Sequence, residues 1–560
     1  MSILLYVNSC LALLFSFLLI VQNISFISIF ATILGMGYAF LLLFFSIELL
    51  KKKTQRSFWL TRSLSAYLVV VMMIVFMVSR LSGQTHELMD IILGILWFIL
   101  AIIMFATMIL LNPKRAEKYF GITVEKKKKS IVDEILSWVD AIAWTISHLI
   151  LVNMFVLQLY EIPSESMVPT FMIKDRVVSL KIASGPKFPL SSFYLPRLVT
   201  YKRGDVVVLK SHRYPSTIEN EWKTLWSQAV SMLTLMKVNL DVDPLTGRQK
   251  ADPLVKRIVG LPGERLMLVD GVLYVKSSAD VDYHPVTEDS QYAAWNLNDL
   301  SAEEKTYIKD LVFSNSIYNE MLDVEEKRKA VQFRTEYDEI EKILHSTRLQ
   351  KNFTDTDENV SQFLLPSENS VINLFTNNVD IARRIATTNG GLNWLAEFSL
   401  SWADFWVSAE ASATNLYEFR NAQLSVLIKK VFAQLMLRNL QLFAQNSTEV
   451  QIQEDEQRLE LLTEAERYIV YLQLSNGRNM DEFPKDSYLG NDEYFLMGDN
   501  RFNSLDMRHT LTKKSVPLDN YDSMPVYYDS QVFPEALPGK KILGLVNLIF
   551  YPFNRAKIMK

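Results

Sequence analysis

With 560 residues, 49% of them hydrophobic and 21% charged, the chain is too long for one ordinary domain and points to membrane segments joined to a soluble part. A formal net charge of −4, evenly mixed along the chain, offers no argument for a nucleic-acid partner. The single cysteine, Cys10, lies inside the first apolar run, which excludes a disulfide framework and a cysteine zinc site.

Five apolar stretches follow in chain order: Ile3–Val21, Ile24–Ile47, Leu64–Val78, Ile91–Leu111 and Ala141–Tyr160. Most are near the ~20 residues needed to cross a bilayer, and the third is the shortest. Val7-Asn8-Ser9-Cys10 has the outline of a lipoprotein cleavage site, but too few residues precede it for a basic and an apolar region. The first segment also lacks a basic leader and a small-x-small cleavage site, so it reads as a retained anchor. Lys51-Lys52-Lys53, Arg56 and Arg62 lie between the second and third stretches; Lys114, Arg115, Lys118 and Lys126–Lys129 follow the fourth. Positive charge resists translocation, so both loops are expected in the cytoplasm. An odd number of crossings then carries the chain from a cytoplasmic N-terminus to an external region after Tyr160.

From Ile162 to Lys276 the pattern is of short strands rich in β-branched residues: Val177–Ile182, Asp205–Lys210, Val255–Val259, Arg265–Val269 and Val272–Lys276. Asp270-Gly271 between the last two predicts a two-residue hairpin turn. Strand-like composition returns at Glu493–Met497 and Lys541–Tyr551. Between these parts, Ser277–Gly490 is helix-like, with amphipathic stretches at Tyr318–His345, Tyr417–Phe443 and Glu454–Leu474. A smaller helical patch occupies Ile218–Lys237. The expected organisation is a membrane region over 1–137, a last crossing over 138–161, a split β core over 162–276 and 491–560, and a helical insertion over 277–490.

Just beyond the last apolar stretch stands Ile162-Pro163-Ser164-Glu165-Ser166-Met167-Val168-Pro169-Thr170, where two prolines stiffen the backbone around two serines. Alone, this reads equally as a turn at a membrane exit. The six histidines are scattered, and no Gly-x-Ser-x-Gly elbow surrounds Ser166. Lys256 lies in the apolar run Leu254-Val255-Lys256-Arg257-Ile258-Val259-Gly260-Leu261-Pro262-Gly263-Glu264. Burial there would favour the neutral amine that a general base needs, although a strand lysine is more commonly a solvated edge charge. A third element, Met497-Gly498-Asp499-Asn500-Arg501-Phe502-Asn503-Ser504-Leu505-Asp506-Met507-Arg508, interleaves turn formers with hydroxyl, carboxylate and guanidinium groups.

In the order anchor, serine box, Arg203-Gly204-Asp205-Val206 strand, Lys-Arg box and Gly-Asp-Asn-Arg box, these elements closely resemble bacterial type I signal peptidases, a family of Ser/Lys serine proteases. The resemblance covers about Ala141–Lys276 and Tyr494–Tyr551. It implies a mainly β catalytic core, the antiparallel signal peptidase fold, with an N-terminal transmembrane region and a large helical insertion, α+β overall. It places the nucleophile on Ser166 and the general base on Lys256, with oxyanion donors from the Ser164 hydroxyl and the Ser166 N–H. It makes Ser504 the residue that orients the base, Asp506 and Arg508 a brace, and Asp499, Asn500 and Arg501 a structural loop. Ile162, Pro163, Met167, Leu254 and Val255 would line small-residue pockets. Phe502 and Met507 depart from the family pattern, where an acidic and a small polar residue are common.

The implied substrates are secretory preproteins, cleaved after small-x-small sites such as Ala-x-Ala at the outer face of a bacterial cytoplasmic membrane. The lipid bilayer is then a partner, and no cofactor, metal or nucleic acid is implied. The insertion is open to three roles: a cap beside the cleft, a docking surface for the protein export channel, or a partner-binding module. Two rival readings stand beside the peptidase: a dedicated Ser/Lys protease for one substrate or for itself, and a membrane scaffold keeping a vestigial protease core.

Overall fold

The computed structural model describes residues 2–22, 25–82, 86–123, 130–211, 217–234, 237–238, 240–242, 253–295, 297–308, 314–348, 369–412, 414–473, 483–484 and 487–559. Among the described residues, five helices are long and apolar enough to cross a membrane: α1 (Ser2–Gln22), α2 (Phe26–Lys52), α3 (Gln55–Ser79), α4 (Glu87–Leu110) and α5 (Ile131–Phe155). The first four pack together, with Phe15, Met72, Phe76, Leu93, Trp97 and Leu100 buried between them. The third, the shortest of the apolar stretches, is a full 25-residue helix because Thr54 caps its N-terminus and its polar first turns extend the apolar run. Lys126–Lys129 lie outside the described residues.

The last crossing differs from its expected span of Ala141–Tyr160. Its helix starts ten residues earlier, where Ser130 and Asp133 form a capping box, and stops at Phe155. The final residues of the apolar stretch instead form strand β1 (Leu157–Glu161), paired antiparallel with β2 (Arg176–Leu180). Sheet pairing takes these residues from the helix at the point where the chain leaves the membrane segment.

The main sheet is antiparallel. It runs in the order β1-β2-β10-β3-β4-β7, where β3 is Val206–Leu209, β4 Leu254–Gly260, β7 Glu493–Met497 and β10 Ile542–Tyr551. Strands from both ends of the soluble region therefore interleave within one sheet, and Val207, Ile258, Leu496 and Ile542 from the two β parts share one buried cluster. The Asp270-Gly271 turn joins β5 (Glu264–Val269) to β6 (Val272–Ser277) in register, Val269 opposite Val272. A further hairpin, β8 (His509–Pro517) and β9 (Tyr527–Val532), was not anticipated from the sequence.

Between β3 and β4, helix α6 (Ile218–Leu233) occupies the smaller patch. The insertion is helical, but Tyr318–His345 is two helices, α7 (Asn315–Ala330) and α8 (Phe333–Arg348), broken at Val331. Helices α9 (Leu416–Ala444) and α10 (Glu456–Gln473) follow the expected spans within two residues. The helical core buries Trp394, Trp402 and Trp406 together with Leu518 and Val526 from the β8–β9 connection, so the last part of the chain completes the insertion's interior.

That connection also carries a buried charge pair. Lys429 on α9 and Asp522 are both inaccessible, with Nζ 2.5 Å from the carboxylate. Lys429 also donates to Ser401 Oγ at 2.7 Å and to the Met524 carbonyl at 2.9 Å. Burial pushes the Lys429 ammonium down more than Asp522 and Asp519 restore it, and burial pushes the neighbouring Asp519 carboxyl up to about 6. Breaking such a pair from one side leaves an uncompensated buried ion, at a cost of about 3–5 kcal/mol. Asp522→Ala is expected to lose stability of that order in denaturant unfolding, and Lys429→Met added to it to recover most of the loss. An unchanged midpoint in Asp522→Ala would contradict the reading.

Candidate active site

Ser166 lies in a single 3-10 turn, Glu165–Met167, five residues after β1 ends. Its neighbour in sequence, Met167, is buried among Phe171, Val177, Val206 and Ile549, which seats the turn against the sheet. Asp175 accepts from the Met172 N–H at 2.8 Å and pairs with Arg555 at 2.9 Å, tying the loop beyond the serine to the end of the chain. The serine itself is left half-buried.

Lys256 sits in the middle of β4, opposite Val207 of β3. It is 2% exposed, and its Nζ donates to Ser166 Oγ at 2.7 Å and to the Val255 carbonyl at 3.0 Å. Alternation along the strand sends the next side chain, Arg257, to the other face. There Arg257 grips both oxygens of Asp499 at 2.7 and 2.6 Å, reaches the Gly204 carbonyl at 2.6 Å and Thr170 Oγ1 at 3.1 Å, and lies 3.9 Å from the Tyr292 ring centre. Burial works against the Arg257 cation, but the Asp499 charge outweighs it and raises its pKa. The Lys-Arg dipeptide thus places an amine at the serine and uses the neighbouring guanidinium to bind the Gly498–Arg508 loop.

That loop closes over Ser166. Asn500 N–H donates to the Ser166 carbonyl at 3.2 Å, and Asn500 Nδ2 to the Glu165 carbonyl at 3.2 Å. A side chain at position 498 would meet Ser504 Oγ at 2.2 Å and the Ser166 carbonyl at 2.3 Å, so glycine is needed for this approach. Ser504 is buried with a hydroxyl that makes no hydrogen bond among the described residues, so the serine expected to orient the base is not bonded to Lys256. Ser164 is exposed, and its hydroxyl donates to Ser166 Oγ at 3.4 Å.

Asp506 and Arg508 pair through both oxygens at 2.9 and 3.0 Å, and the Gly498 N–H donates to Asp506 at 2.9 Å. Burial alone would raise the Asp506 pKa; the Arg508 charge and hydrogen bonds, with His509 and Gly498, instead hold it well below the usual carboxylate range. Arg508 also donates to the Arg501 carbonyl at 3.2 and 3.1 Å.

Of the five residues expected to line substrate pockets, Ile162 and Met167 are buried in the sheet core, Pro163 is exposed, and Leu254 and Val255 are half-buried. Only the last three present surface. The two departures, Phe502 and Met507, are core residues here. Phe502 packs with Val168, Met172, Ala294 and Leu300, and Met507 lies in the sheet core that includes Tyr494 and Leu496.

Sequence reasoning missed the partner that explains Phe502. Residues 289–295, early in the insertion, run behind the loop: Ala294 N–H donates to the Asp499 carbonyl and Arg501 N–H to the Ala294 carbonyl, both at 2.8 Å. Asp289 takes the buried Arg501 guanidinium through both oxygens at 2.9 and 2.6 Å, and Trp295 lies 5.1 Å from that cation. No local motif marks Asp289, which is 212 residues from Arg501. The only signal was Phe502 itself, an apolar residue in a polar run that needed something to cover it.

Residues 135–331 match the model of the family described as signal peptidase, peptidase S26. A curated relative, signal peptidase I of Buchnera aphidicola subsp. Baizongia pistaciae (strain Bp), is 27% identical over 180 residues, which are 32% of this chain and 44% of the relative. The chain thus spans less than half the length of the curated relative it matches. The segment that runs from the helix ahead of Ser166 through Lys256 is thus similar to signal peptidases of family S26.

Proposed function

We propose that the chain is a membrane-bound serine endopeptidase that removes signal peptides from secretory preproteins after small-x-small sites. The observation that carries this reading is the 2.7 Å hydrogen bond between the amine of buried Lys256 and the hydroxyl of half-buried Ser166. Five apolar helices support membrane association.

In this mechanism a neutral Lys256, favoured by burial, takes the Ser166 proton as Oγ attacks the scissile carbonyl. The oxyanion is met by the Ser166 N–H and the Ser164 hydroxyl, donors whose value appears only as charge develops. The lysine ammonium then protonates the leaving amine, and on deacylation the neutral amine activates water. Ser504, a buried hydroxyl beside Gly498 with its bonding capacity unused, would orient the base once substrate reshapes the site. Asp506, Arg508, Asp499, Asn500 and Arg501 hold that geometry, and Pro163, Leu254 and Val255 would contact the substrate flanks. The basic loops argue for a cytoplasmic N-terminus and an external catalytic region in a bacterial cytoplasmic membrane.

Purified protein in detergent is expected to cleave precursors bearing Ala-x-Ala sites. Ser166→Ala and Lys256→Met should each lower kcat by roughly 10³-fold or more with the protein still folded. Full activity in Ser166→Ala, with contaminating protease excluded, would remove the nucleophile assignment. Asp289→Ala leaves the Arg501 guanidinium buried without its carboxylate and loosens the loop over Ser166. It should lower kcat by about tenfold or more while precursor KM changes little. A kcat equal to the parent's would show that the insertion does not support the site.

A further inference from the structure

The catalytic region is joined covalently to the membrane helices only through α5, none of whose most apolar window is buried; α5 meets the other helices through Tyr67 of α3, whose hydroxyl donates to Asp140 at 2.7 Å, and through Phe155, 5.2 Å from the Trp97 ring of α4. A single helix leading into a sheet leaves the attached domain free to swing about that point. The structure contains a second attachment. Residues 188–193, after β2, reach into the end of the bundle where α3 finishes and α4 begins.

The contact is built from both sides. Phe188 is fully buried, its ring 4.9 Å from Phe76 of α3, 5.6 Å from Trp97 of α4 and 5.9 Å from Phe155 at the end of α5. Phe193 lies against Gly94, where even a methyl group would come within 2.3 Å of its ring. Asp90, fully buried in the first turn of α4, accepts from the Ser192 N–H at 2.7 Å and the Ser192 hydroxyl at 3.1 Å, and is paired with the buried Arg80. On the loop's other side, Glu221 of α6 accepts from Lys187 Nζ at 2.7 Å and the Leu190 N–H at 3.1 Å. A buried carboxylate with a paired cation, aimed at a loop more than a hundred residues away, is costly unless it fixes something in place.

We propose that this junction is a positioning device: the four-helix bundle, through Asp90, Gly94 and their grip on Ser192, Phe188 and Phe193, fixes the height and angle of the Ser166 cleft over the membrane. The inference rests on the peptidase reading and assigns the extra helices a role in it. A precursor held in the bilayer presents its cleavage site at a fixed depth, so a cleft with fixed depth meets it at high effective concentration. A short peptide diffusing from solution gains nothing from that alignment. These are positioning residues, acting through the placement of the serine.

The test uses the full-length chain in lipid nanodiscs, with Phe188→Ala/Phe193→Ala loosening the junction from the loop and Gly94→Leu from the membrane side. Spin labels at Leu88→Cys and Lys202→Cys, in a Cys10→Ser background, report the distance between bundle and catalytic region; both sites are exposed. The parent is expected to give a narrow distance distribution and both variants a broad one. For a bilayer-inserted precursor, kcat/KM should fall by roughly tenfold or more in both variants, while kcat/KM for a soluble peptide spanning the same site stays within about twofold. Equal distance distributions overturn the anchor whether or not any substrate is cut. A parallel loss on both substrates shows a merely structural junction, and an unchanged precursor rate shows that alignment is irrelevant. Parent protein that cuts neither substrate overturns the peptidase reading instead, and the distance measurement still decides the anchor.

Discussion

The hydrogen bond between Lys256 and Ser166 joins two segments 90 residues apart in the chain, and much of the soluble fold serves to hold that distance. A lysine amine on a flexible four-carbon stem is a poor base unless its strand is fixed, its surroundings are dry and the hydroxyl is held still. The sheet meets the first condition by placing β4 between β3 and β7, strands from opposite ends of the soluble region. Core packing meets the second, leaving Lys256 almost inaccessible within a strand whose next four residues are buried. The Gly498–Arg508 loop meets the third, since its Asn500 bonds the backbone on both sides of the serine's peptide unit.

Charge pairs hold that loop, and each is arranged so that no ion is buried alone. Arg257 takes Asp499, Arg508 takes Asp506, and Arg501 takes Asp289. Such pairs contribute little net stability against apolar replacements, yet removing one partner is costly, which makes them devices for geometry more than for stability. The insertion takes part through residues 289–295, and the β8–β9 connection returns the favour by completing the helical core. The insertion and the β core are thus physically interdependent at the site's back wall.

The core strands were legible because they follow local rules: β-branched runs bounded by Gly, Pro and Asp, and an Asp-Gly turn. The meeting of Ser166 and Lys256 was legible only from the ordered set of motifs, since a serine between prolines and a lysine in an apolar run are each ordinary. What could not be read was non-local. The end of the last apolar stretch follows helix-like hydropathy to Tyr160, but pairing with Arg176–Leu180 makes Leu157–Glu161 a strand. Asp289 has no neighbouring motif, and Ile162 and Met167 sit beside the serine in sequence while facing the core. The break at Val331 divides one amphipathic stretch into two helices, because the chain turns there to bury Val331 and Phe333 against the tryptophan-rich core.

The account depends on Ser166 forming a covalent acyl link with its substrate, which one measurement addresses directly. Rapid acid quenching of the protein with a slowly deacylating ester substrate, followed by peptide mapping by mass spectrometry, locates any acyl group. The account predicts an acyl adduct on Ser166 in the parent chain and none on any serine in the Lys256→Met variant. An adduct on another residue, or cleavage that proceeds with no covalent intermediate at Ser166 under conditions of slow deacylation, would contradict it.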